Sequence, residues 1–348
     1  MSGGVDSSVA AAALVEEGHD VVGATLKLWG GVGDSGCCSV GDVEDARAVA
    51  RRLGVDHHVF NLTDLFEETV VSPYVAAHAR GETPNPCIEC NRHVKFGALL
   101  DRARRLGFDA LATGHHARVE VSPNGHRLLR GADPAKDQSY VLSMLDAGQL
   151  ASLLLPVGRM QKEEVRAAAR AGGLPTAAKP DSQDVCFIHS GLGRSGFLGD
   201  RLALHPGVVV EGGSGREVGR VEAVELVTVG QRRGLGHGTD GGRRFAVAVD
   251  VDRRTVTVGG ADQARSRRLA FRRCTWVAGA PAPGRRVLAQ TSAHGDAHPC
   301  TVGTEDLEFD EPQRLVAPGQ TVAFYDAGRP EVVLGAALAA GPFGSQTL

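Results

Sequence analysis

The chain begins with Ser2-Gly3-Gly4-Val5-Asp6-Ser7-Ser8, an S-G-G-x-D-S-S run that leads into an amphipathic helical stretch. Two glycines permit a tight turn and close backbone approach to a ligand. The hydroxyls of Ser2, Ser7 and Ser8, with the open amides of the next helix's first turn, all offer donors to an anion. No G-K-[ST] follows and no lysine sits in the run, so it is not a Walker loop. It reads as a cradle for phosphates; the competing reading is a Gly/Ser turn that only caps the helix.

Two cysteine segments add a second kind of chemistry. In Thr83-Pro84-Asn85-Pro86-Cys87-Ile88-Glu89-Cys90-Asn91 the prolines stiffen the loop and push the residue before each into extended geometry. A helix expected just after it would set Cys90 near a helix N-terminus with Arg92 and Lys95 close by, conditions that favour a nucleophilic thiolate. Half a zinc site is the alternative, although no second C-x-x-C occurs to complete four ligands. In Asp181-Ser182-Gln183-Asp184-Val185-Cys186-Phe187-Ile188, the flanking Val and Phe suggest a core cysteine and the polar lead-in an exposed loop.

The elements that must position these groups fall into two regimes. Up to about residue 185, helical and strand patterns alternate: Val9 to Gly18, then Val21 to Leu26, Asp42 to Leu53, Asp56 to Phe60, Val94 to Leu106, and Asp109 to Gly114. This order predicts a doubly wound, mostly parallel α/β sheet with ligands beyond the strands' C-terminal ends. After about residue 200, short β-branched runs between glycine-rich turns predict two small β-rich domains, the last a barrel. The expected domains are 1–198, 199–265 and 266–348.

At 348 residues, two or three cores are expected. Seven cysteines, an odd number without an export signal, argue against a disulfide framework and for a cytoplasmic protein. No apolar run is long enough to span a bilayer, so no membrane partner is expected. The net charge of −3 hides an uneven spread: Arg216 to Arg273 holds 13 arginines, no lysine and 7 acids. That excess fits a phosphate-binding surface, or simply a solvated arginine face.

Taken together, the Ser2–Ser8 loop, Gly36-Cys37-Cys38-Ser39, Thr83–Asn91, Ala112-Thr113-Gly114-His115, Lys136-Asp137-Gln138-Ser139-Tyr140, Asp181–Ile188, Val229–Gly236 and Arg314–Thr321 occur in a telling order. In that order the chain resembles bacterial tRNA-specific 2-thiouridylases, within the ATP pyrophosphatase-loop superfamily. The resemblance implies an adenine nucleotide alpha-hydrolase-like first domain that adenylates C2 of the wobble uridine with ATP. It implies persulfide sulfur carried on Cys186, with Cys90 as nucleophile or resolving thiol and a Cys90–Cys186 disulfide left after turnover. By the same match, Met1, Ser2, Gly3, Gly4, Val5, Asp6, Ser7, Leu26 and Gly114 contact the nucleotide. Asn85, Pro86 and Cys87 face the target base, and His115, Lys136, Asp137, Gln138 and Gln320 contact tRNA. The implied partners are tRNA and a sulfur relay (a cysteine desulfurase or sulfur carrier protein), and the chain is expected to act as a monomer.

Two departures from the family bear on this. Relatives place a central strand before the loop, where this chain has Met1 alone; we read the start as assigned too late. Many relatives carry Asp at the position of Cys87, so an iron–sulfur cluster on Cys87, Cys90 and Cys186 is a minor alternative. A Mg²⁺ bridge is expected at Asp6, since a bare carboxylate repels phosphate; no other metal is expected. The rival functions are another ATP pyrophosphatase-loop ligase, which would not need paired cysteines, and a non-catalytic nucleotide-dependent RNA-binding protein.

Overall fold

The computed structural model describes residues 1–30, 39–123, 125–181, 185–188, 191, 193–235 and 243–341. Gly36-Cys37-Cys38 and Ser182–Asp184 therefore lie outside the described residues. The chain forms two compact units: Met1–Val71, Pro86–Arg194 and Glu331–Val333 in one, and Ser72–Asn85, Ser195–Pro330 and Leu334–Leu348 in the other.

The first unit is α/β. Its strands are β1 (Val22–Lys27), β2 (Asp56–Asn61), β3 (Leu111–Ala112), β4 (Ala117–Ser122), β5 (Gly125–Arg130) and β6 (Leu153–Leu154). β1 pairs parallel with β2, and β3 parallel with β6, so the parallel strands stand as two pairs among the described residues. β4 and β5 form an antiparallel hairpin, and Val332 and Val333 extend it beside Leu129 and Leu128. The Val5–Glu16 helix starts inside the serine–glycine run, four residues earlier than its apolar periodicity suggests, because Gly4 takes the extended N-cap conformation. It packs against the Val40–Leu53 and Lys162–Ala171 helices through Val5, Val9, Ala10, Val49, Val165 and Ala169.

The second unit is β-rich, as its β-branched runs require. Strands β7 (Gly207–Glu211), β8 (Glu217–Val221), β9 (Phe245–Asp250) and β10 (Thr255–Gly259) form a four-stranded sheet in the order β8-β7-β10-β9. Val209, Val224, Ala246, Val256 and Val258 fill its core. Strands β11 (Arg265–Trp276), β12 (Arg286–Gln290), β13 (Ala297–Val302), β14 (Asp306–Arg314), β15 (Thr321–Asp326) and β16 (Val332–Gly341) come next, in the order β11-β14-β13-β12-β15-β16. Pairing of β16 back onto β11 closes them into a barrel and leaves no open edge. Phe324 is fully buried at its centre, with the rings of Trp276 and Phe271 at 5.0 and 5.4 Å.

Because that ring has no room to be replaced by solvent, Phe324→Ala should destabilise the barrel by about 3–5 kcal/mol. Chemical denaturation, followed by the fluorescence of Trp276, is the check.

Candidate active site

The first-turn amides of the Val5–Glu16 helix have no side-chain cap, so they remain open to an anion. The Gly4 carbonyl accepts from Ser7 Oγ at 3.1 Å and Ser8 Oγ at 2.8 Å. Ser8 is buried and receives the Thr176 hydroxyl at 2.9 Å, so it holds the turn rather than facing ligand. Ser2 and Ser7 differ: the Ser2 amide donates to Ser7 Oγ at 3.1 Å and their hydroxyls lie 3.2 Å apart. Gly3 has φ +69°, and a side chain there would collide with the backbone of Asp42. At Gly114 a Cβ would come within 2.5 Å of the Ser7 nitrogen, so the strand end lies flush on the helix start. Met1 runs beside β1, its amino group donating to the Ala24 carbonyl and its own carbonyl accepting from Thr25 Oγ1 at 2.6 Å. Leu26 is half-buried on the same strand.

Beneath the cradle lies a charge network that the sequence pattern did not reveal. Lys162 donates to both carboxylate oxygens of Asp6 at 2.7 Å and pairs with Asp181 at 2.9 Å. Asp181 also takes Arg166 at 2.7 Å and Lys136 at 2.8 Å, and His116 Nε2 lies 3.2 Å from Asp6. Lys162 is the first residue of its helix, where the dipole opposes a cation; two carboxylates overcome that preference. Partial burial pulls the Asp181 carboxyl upward, but the hydrogen bonds and charges of Lys136 and Lys162 outweigh it and hold the group at about 2. Burial likewise opposes ionisation of Asp6, and His116 and Lys162 together carry it below the usual carboxylate range.

This network corrects the reason for expecting Mg²⁺. Asp6 is neutralised by an ammonium of the protein itself, with both oxygens engaged. Among the described residues no three His, Cys, Asp or Glu side chains are grouped to hold a metal ion. Cys87, Cys90 and Cys186 are thus not grouped as a three-thiolate cluster site, and the Asp6 carboxylate is already engaged by Lys162.

The cysteines also sit differently from expectation. The helix begins at Pro86, where a proline with no N–H is well suited to the first position. Cys87 is thus exposed in the first turn, while Cys90 is buried and opens a π-helical stretch, Cys90–Leu99. Asn91 next to it donates to the Val141 carbonyl at 3.0 Å, and its Oδ1 is buried without a hydrogen bond. Cys186 is half-buried, and Phe187 is buried against the rings of Trp29 and Phe66. Phe187 is thus the core residue of this segment and Cys186 its partly accessible neighbour.

Several residues matched to tRNA contact have internal work. Asp137 accepts from Arg130, the Gly131 amide and the Ser139 hydroxyl at 2.8–2.9 Å. Gln138 Oε1 accepts the His116 amide at 2.9 Å, and the Gln138 amide returns a bond to the His116 carbonyl. Burial lowers the His115 imidazole to about 3, helped by nearby Lys95 and His116, so it is neutral and sits 2.8 Å from the Thr113 hydroxyl. Lys136 is committed to Asp181.

In the second unit, Gln320 donates to the Thr83 carbonyl at 2.6 Å, immediately before Pro84 and Asn85. The arginine excess is partly spoken for: Arg216 and Arg244 pair with Glu211, Arg220 with Glu217, Arg268 with Asp306 and Arg272 with Glu82. Arg232 and Arg233 are exposed, with no acid paired to them among the described residues.

Three family models match in succession: a tRNA methyl transferase HUP domain over residues 1–190, a tRNA methyl transferase PRC-barrel domain over 195–260, and an aminomethyltransferase beta-barrel domain over 266–338. A tRNA-specific 2-thiouridylase MnmA from Roseiflexus castenholzii is 46% identical, covering 96% of each chain. The Acidothermus cellulolyticus protein of the same name is 46% identical over 97% of this chain and 95% of its own. That of Mycolicibacterium smegmatis is 44% identical over 97% of this chain and 98% of its own.

Removing the shared ammonium should leave Asp6 and Asp181 repelling each other. Lys162→Met should cost about 2 kcal/mol, less than for a fully buried pair because both carboxylates keep some access to water. The carboxyls have depressed pKa values, so their contribution to wild-type stability is present above about pH 4 and is lost as pH falls toward 2. Denaturation midpoints measured across that window should show a steep acid loss in the wild type and a shallower one in the variant.

Proposed function

This chain belongs to the tRNA-specific 2-thiouridylase family, and from that premise we propose that it uses ATP and a persulfide on Cys186 to place sulfur at C2 of the wobble uridine of tRNA. One observation carries the reading. The phosphate loop and the Cys186 segment are remote in sequence, yet Lys162 ties Asp6 of the one to Asp181 of the other at 2.7 and 2.9 Å. On this reading, activation and sulfur delivery share a single anchoring cation.

In the proposed sequence, the uridine O2 attacks the α-phosphate of ATP and pyrophosphate departs into the cradle of Ser2, Ser7 and the helix amides. Gly3 and Gly4 let the backbone come close, while Val5, Leu26, Gly114 and Met1 line the nucleotide. C2 now carries AMP as a leaving group. The terminal sulfur of the Cys186 persulfide attacks C2, and AMP leaves with the oxygen. The Cys90 thiolate then attacks Cys186 Sγ and breaks the sulfur–sulfur bond. This releases thiouridine and leaves a Cys90–Cys186 disulfide for two-electron reduction. The reactive form of each cysteine is the thiolate, so both must lose a proton before their step.

Substrate recognition divides between base and backbone. Asn85, Pro86 and Cys87 present the target base. Lys136, His115, Asp137 and Gln138 lie on the first unit's tRNA-facing segments, the last two shaping the backbone more than touching the ligand. Arg232 and Arg233 supply phosphate contacts from the middle domain, with boundaries near 198 and 265. A sulfur relay reloads Cys186.

Cys90→Ser and Cys186→Ser should each abolish 2-thiouridine formation while tRNA Kd stays unchanged, whereas Cys87→Ser should remain active. Nucleoside mass spectrometry beside a filter-binding titration measures both. Replacing Arg232 and Arg233 together should weaken binding to all tRNAs alike and flatten the salt dependence by about one to two in log–log slope. An unchanged slope would return these arginines to a solvated surface.

A further inference from the structure

We propose that Cys87 and Cys90 form a redox-modification site, which takes a small-molecule disulfide such as glutathione disulfide and closes to an internal Cys87–Cys90 bond. The consequence for activity rests on the reading that Cys90 completes sulfur transfer; the site itself does not. The C-x-x-C spacing is the part of the Thr83–Asn91 motif that thiolation through Cys90 and Cys186 leaves unused.

Both thiols lie at the start of one helical stretch. Pro86–Glu89, Cys90–Leu99 and Leu100–Arg105 run on without a break, since Glu89, Leu99 and Leu100 all keep right-handed helical angles. Pro86 is its first residue, so Cys87 stands second, where the open amides and the helix dipole favour a thiolate. Residues three apart share a helix face with Cβ atoms about 5–6 Å apart, whereas a disulfide brings them to about 3.5–4.5 Å. The difference must come from tightening the turn. A first turn tightens readily, because its amides carry no intrahelical hydrogen bond and Pro86 has no amide proton at all.

Exposure gives the two thiols different roles. Cys87 is exposed, while Cys90 is only 6% exposed. A disulfide from solution therefore meets Cys87 first. The Cys87 thiolate attacks one sulfur of glutathione disulfide, whose S–S bond breaks, and one glutathione thiolate leaves. The Cys90 thiolate then attacks Cys87 Sγ and displaces the second glutathione. Two protein thiols have given up two protons and two electrons, and two reduced glutathiones have gained them. Cys186 must reach Cys90 from a separate segment, whereas Cys87 needs only a short closure within one turn. Once the internal bond has formed, Cys90 is unable to break the sulfur–sulfur bond of the Cys186 persulfide. A dithiol reverses the closure.

The test treats the reduced full chain with graded ratios of glutathione to glutathione disulfide, then alkylates it, digests it with trypsin and weighs the peptides. Residues 81–92 form one tryptic peptide that holds both cysteines. The expected product is that peptide two hydrogens lighter and free of glutathione; Cys90→Ser should instead retain glutathione on Cys87. Single-turnover 2-thiolation is measured alongside, each protein referred to its own untreated yield. It should fall at least about tenfold in the oxidised wild type and recover with dithiothreitol. Cys87→Ser, treated identically, should keep most of its own yield. A wild-type peptide carrying glutathione on Cys87 beside an alkylated Cys90 would overturn the proposal. So would an equal loss of yield in Cys87→Ser, which would place the sensitive thiol elsewhere. A reduced wild-type protein that formed no 2-thiouridine would defeat the thiolation reading instead, and the peptide masses would still decide the redox site.

Discussion

The ammonium of Lys162, shared between Asp6 and Asp181, is the constraint on which the first unit's site depends. A side chain only about 10% exposed cannot carry charge without partners, and a cation at the first turn of a helix opposes the dipole as well. Two carboxylates answer both costs. In return, the lysine neutralises the negative charge that would otherwise sit in the first turn of the Val5–Glu16 helix. Arg166 and Lys136 complete the balance around Asp181. The loop, the Lys162–Ala171 helix and Asp181 are therefore held by one electrostatic solution.

The second unit contributes stiffness of a different kind. A closed barrel has no edge to pair wrongly, and its turn at Pro318–Gln320 grips Glu82 and Thr83 by hydrogen bonds and close backbone approach. Cys300, buried in that barrel, is pushed up to about 12 chiefly by its burial, so it packs as a small apolar group. Cys186, by contrast, is only half-buried.

Much of this is legible in the sequence where the signal is local. The Ser2–Ser8 run declares its own geometry, since Gly3 and Gly4 adopt the backbone that a helix N-terminus facing an anion needs. The change from helical to β-branched patterning near residue 200 also carries through to the two β-rich domains. What stays hidden depends on distance along the chain. Lys162 looks like an ordinary surface lysine beside Glu163 and Glu164; only folding brings Asp6, 156 residues away, to its ammonium. The Asp6 puzzle is visible in the sequence, but the ammonium that meets both its oxygens is not. The helix start at Pro86 lies several residues before the place that a loop-stiffening proline suggests, and this moves Cys90 from a helix terminus into the buried second turn. The arginine count suggests one surface, yet much of its strength disappears into pairs with Glu211, Glu217, Asp306 and Glu82 that no composition reveals.

The central claim is that sulfur passes from Cys186 to the base, with Cys90 completing the transfer. A single turnover of protein carrying heavy-isotope persulfide, with ATP and unmodified tRNA, tests it most directly when nucleosides and cysteine peptides are weighed together. The account predicts heavy sulfur in the wobble 2-thiouridine, AMP and pyrophosphate in equal amount, and a new Cys90–Cys186 linked peptide. Light sulfur in the product, ATP cleaved to ADP, or thiouridine formed with Cys90 and Cys186 still unlinked would contradict it.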